Sequence, residues 1–288
     1  GSGHRIASTV FVECNSFYRA DGPEALRPVG ETEFVNGVAA MSASGVYGPM
    51  KACAGIVGFA DLTLGAEVEE ALAAHMVAGG GRFRGIRHAA GWDSSAAVHN
   101  SHTHPPENLY ARADFRAGFA KLADFGLTFD AWQFHPQLPE LLDLARAFPE
   151  QTIVLDHVGG FLGIGPYEGK RDEIFPRWAA DIRDLADCPN VVVKLGGLAM
   201  SMCGFGFNKR ATPARSQELA EAWRPYIETC IEAFGPERSM FESNFPMDKV
   251  SCSYATLWNA FKRLASGASP GEKALLFRDV AHRVYRLD

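Results

Sequence analysis

Continuous apolar runs along this chain alternate with stretches whose apolar residues recur every three or four positions. The runs are Ile6–Cys14, Ala52–Leu62, Arg82–His88, Leu127–His135, Thr152–His157, Val191–Leu195 and Ser239–Glu242. They are too continuous for half-exposed strands and suit a parallel sheet covered on both faces. The stretches between them read as helices with one apolar face. Phe34, Val38 and Met41 mark one, Phe115, Phe119 and Leu122 another, and Ile174, Trp178, Ile182 and Leu185 a third. Leu219, Trp223, Ile227 and Phe234 mark a fourth, Tyr254, Leu257, Phe261 and Leu264 a fifth, and Leu276, Val280 and Val284 the last. Gly79-Gly80-Gly81 stops a further helix around Glu67–Met76.

Strand-helix alternation without a break in composition predicts one α/β domain over residues 6–288. Seven strands are counted where a closed (β/α)8 TIM barrel needs eight, and the chain enters a strand almost at once. The expectation is therefore a (β/α)8 barrel whose first strand is missing, placed upstream of residue 1. The long connections 15–30, 89–108, 161–171 and 200–214 read as binding loops. The last of these reads as a mobile cover with Phe205 and Phe207 as apolar lid residues.

With 47% hydrophobic residues in 288, the chain can bury a large core. A net charge of −6 without a Lys/Arg block argues against a nucleic-acid partner. No apolar run approaches the roughly 20 residues of a membrane helix. The six cysteines form no Cys-x-x-Cys pair, which suits reduced thiols and a cytoplasmic location.

Chemistry concentrates where the strands stop. Imidazole is an unusual choice at the end of an apolar run, yet His135 and His157 both stand there. Polar groups at successive strand C-termini are the catalytic pattern of a parallel barrel. Arg87 fits either an ion pair with a neighbour such as Asp93 or a fork for a substrate carboxylate. His88 fits a structural role or a donor to a substrate carbonyl. Asp61 reads as a helix N-cap, and Glu13 as a group that could face the site. His99, His102 and His104 fit adventitious loop histidines or a metal site. Gly196-Gly197 and Cys203–Phe207 do not match a phosphate-cradling loop. Tyr18, Tyr167, Lys194 and Lys249 flank strand ends and are candidate substrate contacts.

Gly85-Ile86-Arg87-His88, His135-Pro136, Leu155-Asp156-His157-Val158-Gly159-Gly160, Glu242-Ser243-Asn244-Phe245-Pro246 and Ala281–Leu287 follow one another in an order that resembles the amidohydrolase-2 branch of the amidohydrolase superfamily. That branch includes sugar lactonases, 2-pyrone-4,6-dicarboxylate hydrolase and the aminocarboxymuconate-semialdehyde decarboxylase group. The resemblance implies a barrel with its site at the strand C-termini. It also implies one divalent ion, zinc or manganese, held by a His-x-His pair from strand 1, a His from strand 5 and an Asp from strand 8. His135 matches the strand-5 ligand, and Asn244 stands at the strand-8 position. His157 matches the histidine that positions and deprotonates the attacking water. An amide is a feeble zinc ligand and no strand here ends in His-x-His, so the ion is expected to be weakly held or absent in this chain.

The activity implied is hydrolysis of a lactone or related C–O bond in a small, polar, carboxylate-bearing substrate. His157, Asp248 and Arg87 are its catalytic candidates, and His88, Tyr167 and Lys249 its substrate contacts. Two alternatives are a nonoxidative decarboxylase, with Arg87 anchoring the leaving carboxylate, and a catalytically inactive binding barrel. Barrels of this branch often pair, so a homodimer is the assembly expected.

Overall fold

A computed structural model describes residues 3–287. Its seven strands are β1 (Ser8–Val12), β2 (Lys51–Gly58), β3 (Phe83–Ile86), β4 (Thr128–Ala131), β5 (Ile153–Leu155), β6 (Val191–Leu195) and β7 (Ser239–Phe241). They form one sheet in sequence order, every neighbouring pair parallel. β1 and β7 stand at its two ends. The main helices are α1 (Val29–Ala43), α2 (Glu69–Ala78), α3 (Ala113–Ala120), α4 (Leu138–Ala147), α5 (Arg171–Ala186), α6 (Ser216–Phe234), α7 (Tyr254–Leu264) and α8 (Val280–Val284).

All seven expected strands are present, but most are shorter than their apolar runs. His135 opens a short 3-10 turn beyond β4, and His157 begins a left-handed turn beyond β5. The pleat sorts the strand residues by a period of two. Phe129 and Ala131, Ile153 and Leu155, Val191 and Val193, and Phe241 pack in the large core shared with the helices. Their alternates Val154, Val192 and Met240 join Val57 in a second, smaller core on the opposite face.

That second core is closed by the end of the chain, where Val280, Tyr285 and Leu287 pack against it. Three polar positions share the inner face: Asp130 in β4, Asp156 just past β5 and Lys194 in β6, all at most 5% exposed. The inner face therefore carries an apolar layer and, beside it, a charged one.

One expected face is corrected. Phe34 and Met41 of α1 are 46% and 55% exposed, while the helix buries Val35, Ala39 and the polar Glu31 and Thr32. Phe34 instead stacks on Phe17 at the surface, ring centroids 3.9 Å apart. The i, i+4, i+7 spacing was present, but polar groups on the other face found partners inside. Thr32 bonds the buried His75 at 2.8 Å, and Glu31 accepts the Cys14 and Ser16 amides at 3.0 Å each.

Candidate active site

The strand C-termini gather a buried chain of charge. Arg87, just past β3, donates from Nε to Glu13 Oε1 (2.7 Å), from Nη2 to the Glu13 carbonyl (2.5 Å) and from Nη1 to Asp156 Oδ2 (3.3 Å). Lys194 donates to Asp130 Oδ2 at 2.6 Å and lies 2.9 Å from Asp156 Oδ1. His102 Nε2 completes the line, 3.0 Å from Glu13 Oε2. Burial works against each carboxylate, yet Arg87 and His102 hold Glu13 below the usual range. Lys194, His157 and Arg87 do the same for Asp156.

Beside this chain sits His157. Its Nδ1 lies 2.5 Å from Glu242 Oε1, and its backbone N–H donates to the same oxygen at 3.1 Å. Burial favours the neutral ring, but the Glu242 carboxylate and Asp156 outweigh it and raise the pKa. The backbone is strained to achieve this. His157, Val158, Gly159 and Gly160 all have positive φ, and a β-branched residue such as Val158 rarely adopts it. The Trp178 indole N–H holds the Val158 carbonyl at 3.0 Å. A Cβ on Gly160 would lie 1.9 Å from the Gln133 carbonyl oxygen, and one on Gly197 only 2.5 Å from His157 Cβ. Gly196-Gly197 is thus a close-packing device for the His157–Glu242 pair. Trp132 closes the other side, edge-on to His157 at 4.7 Å.

Asp248 is fully buried in the turn after β7, its Oδ1 accepting the Asn244 amide at 2.7 Å. Its Oδ2 has no hydrogen-bond partner among the described residues, and burial pushes its carboxyl up to about 7.

The other expected residues fall into place differently. His135 accepts the Leu162 N–H on Nδ1 at 3.1 Å and lies between Phe161 and Tyr167, and burial pushes its pKa down to about 4. His88 accepts the Leu62 N–H at 3.2 Å, packs near Phe59 and Phe115, and is likewise lowered to about 4 by burial. Tyr167 donates to Asp93 at 2.6 Å. The Arg87–Asp93 pair offered as one reading does not form. Arg87 turns three of its five N–H donors to Glu13 and Asp156. Lys249 is exposed on the turn. Asp61 is an N-cap, accepting the Thr63 N–H at 2.9 Å.

The Cys203–Phe207 loop is fastened. Arg171 bonds Tyr226 OH (2.7 Å) and the Cys203 carbonyl (2.8 Å) and lies 3.9 Å over the Phe205 ring.

The described residues do not by themselves assemble a divalent-ion site. Among the described residues no three His, Cys, Asp or Glu side chains are placed to hold one. His135 spends Nδ1 on a backbone amide and the Asn244 amide turns to Asp248. The residues missed by sequence reasoning are Glu242, Asp130 and Tyr285. Their signal was a charged or phenolic group at an inward position of an apolar segment. A cavity of about 520 Å³, lined by Ser42, Lys51, Arg82 and Arg84 among others, opens at the strand N-termini, away from this chemistry.

Residues 6–287 match the family described as Amidohydrolase, and the chain belongs to that family of hydrolases. It is 35% identical to the uncharacterized protein y4mH of Sinorhizobium fredii over 92% of this chain and 78% of that one. It is 31% identical to an L-fucono-1,5-lactonase of Burkholderia multivorans over 61% of this chain, which spans only 56% of the lactonase. Among solved structures it resembles an amidohydrolase from Burkholderia multivorans with bound zinc (28% identity, TM-score 0.69, 90% of this chain and 79% of that one). A putative 2-pyrone-4,6-dicarboxylic acid hydrolase from Pseudomonas putida shares the fold at 18% identity (TM-score 0.59, 98% and 96% covered). No helix among the described residues is long and apolar enough to cross a membrane.

Proposed function

We propose that this hydrolase opens the ring of a neutral, hydroxyl-rich lactone, with His157 as its base. The observation that carries the reading is the 2.5 Å contact between His157 Nδ1 and Glu242. A carboxylate on Nδ1 fixes the tautomer with its proton there, leaves Nε2 as the basic nitrogen and stabilises the imidazolium that forms. Nε2 takes a proton as water attacks the lactone carbonyl, and the imidazolium returns it to the ring oxygen as the C–O bond breaks. Asn244 and Asp248, bonded to each other, brace the turn that carries Glu242.

Neutrality of the substrate follows from how the cations are spent. Arg87 is paired with Glu13 and Asp156, Lys194 is shared by Asp130 and Asp156, and His88 and His135 are held uncharged by burial. Glu242 and Asp93 supply acceptors that suit hydroxyl groups and repel a carboxylate. This reading departs from the carboxylate-bearing substrate expected above, and a decarboxylase would need a cation free to anchor the leaving carboxylate. The test is a hydrolysis panel of neutral aldonolactones beside a carboxylated pyrone lactone. Turnover confined to the neutral set is expected. Preferred turnover of the carboxylated ring would overturn the substrate class, and no turnover of any lactone would overturn the activity.

A further inference from the structure

The end of the chain reaches the charged layer from the side opposite the mouth. Tyr285, fully packed in the small core with Val57, Val154 and Met240, donates its hydroxyl to Asp130 Oδ2 at 2.8 Å. The same oxygen accepts Lys194 at 2.6 Å, and Lys194 stands 2.9 Å from Asp156, the residue preceding His157. We propose that Tyr285, Asp130 and Lys194 form a positioning relay that sets the basicity of His157 from behind the site. The inference rests on His157 being the base.

The relay works through charge. Glu13, Asp130 and Asp156 are three buried carboxylates against two cations, the buried Lys194 and the largely covered Arg87. With His102 neutral and Asp130 ionised, the layer carries one excess negative charge where the low dielectric lets its field persist. The groups facing His157 are Glu242 just past β7, Asp156 just past β5, Arg87 just past β3 and Asp248 in the turn after β7. Among the described residues Asp130 and Asp156 each leave Oδ1 without a hydrogen bond, but only Asp130 hangs both of its bonds on one oxygen. Burial already favours its protonated form. Without the Tyr285 hydroxyl, Asp130 takes up a proton, the layer loses its excess charge and Lys194 turns wholly to Asp156. The anionic field at His157 then weakens, and the imidazolium loses its stabilisation.

The test titrates the His157 imidazole by NMR in histidine-labelled protein, its signal identified by its loss in His157→Asn. Wild type, Tyr285→Phe and Asp130→Asn are compared. Both variants should lower the His157 midpoint, by about 1 pH unit for Asp130→Asn, and the double variant should go no lower than Asp130→Asn alone. The acidic limb of kcat/KM on a neutral lactone should move with it while KM holds. Asp130→Asn keeps the side-chain shape and remains informative if Tyr285→Phe folds poorly. A His157 midpoint unmoved in both folded variants, with only a lower Tm, would make Tyr285 a packing residue and end the proposal. A midpoint that moves without any effect on kcat/KM would preserve the relay and count instead against His157 as the base.

Discussion

At the end of β5 an imidazole meets a carboxylate; at the end of β4 an imidazole meets a backbone amide. His157 has Glu242 on Nδ1 and Asp156 beside it, and its pKa rises. His135 receives the Leu162 N–H on Nδ1 among aromatic rings, and its pKa falls to about 4. Both rings are buried to a similar degree, at 5% and 7% exposure. Desolvation alone would push both down, so the partner of Nδ1 decides which one can gain and hold a proton near neutrality. A histidine that accepts a backbone amide is built to stay neutral, whereas one that faces a carboxylate is built to cycle.

The most severe way to break this comparison is to remove each ring. His157→Asn should leave the protein folded and cut kcat by roughly 10²–10⁴, the range of a positioned acid-base group. His135→Asn should cost less than about tenfold on the same lactone. Equal losses would erase the distinction. The next largest effect is expected of Gly197→Ala. Its Cβ would meet His157 Cβ at 2.5 Å in a left-handed conformation, so unfolding stability should fall by about 1–3 kcal/mol. Activity should fall further than that of Gly206→Ala, also left-handed but with open space around it. Similar activity in both would remove the close-packing role.

A finer test uses linkage. A histidine lowered to about 4 stays neutral in the folded chain while the unfolded chain protonates near 6.5, so its contribution to stability is lost as pH falls from about 6.5 to 4. His135→Gln should therefore flatten the stability-pH curve in that window by up to one proton, about 1.4 kcal/mol per pH unit. His157 has the opposite sign: its stabilisation is full below about 6.5 and lost as pH rises through its raised folded value. His157→Gln should remove that loss. Denaturant titrations across pH measure both.

Much of the fold was legible because apolar runs and their order suffice to place parallel strands. Seven runs became seven strands in sequence order. What stayed hidden was which way a side chain points once a strand ends. His135 and His157 both follow apolar runs, but only the left-handed turn through Val158 aims His157 at Glu242. The letters of β4 and β6 likewise placed Asp130 and Lys194 in buried strands. Only the sheet register, together with the return of Tyr285, joined them. Arg87 was visible, but its commitment to Glu13 depends on β1 and β3 lying two strands apart.

The central claim is that Glu242 makes His157 the base. It is tested most directly by the pH dependence of kcat/KM for wild type and Glu242→Gln on a neutral lactone. In wild type the acidic limb should lie above the ordinary imidazole value of about 6.5, and in Glu242→Gln it should drop by about 1–2 units, with a lower plateau. An acidic limb that stays at the same pH in both proteins would contradict the account.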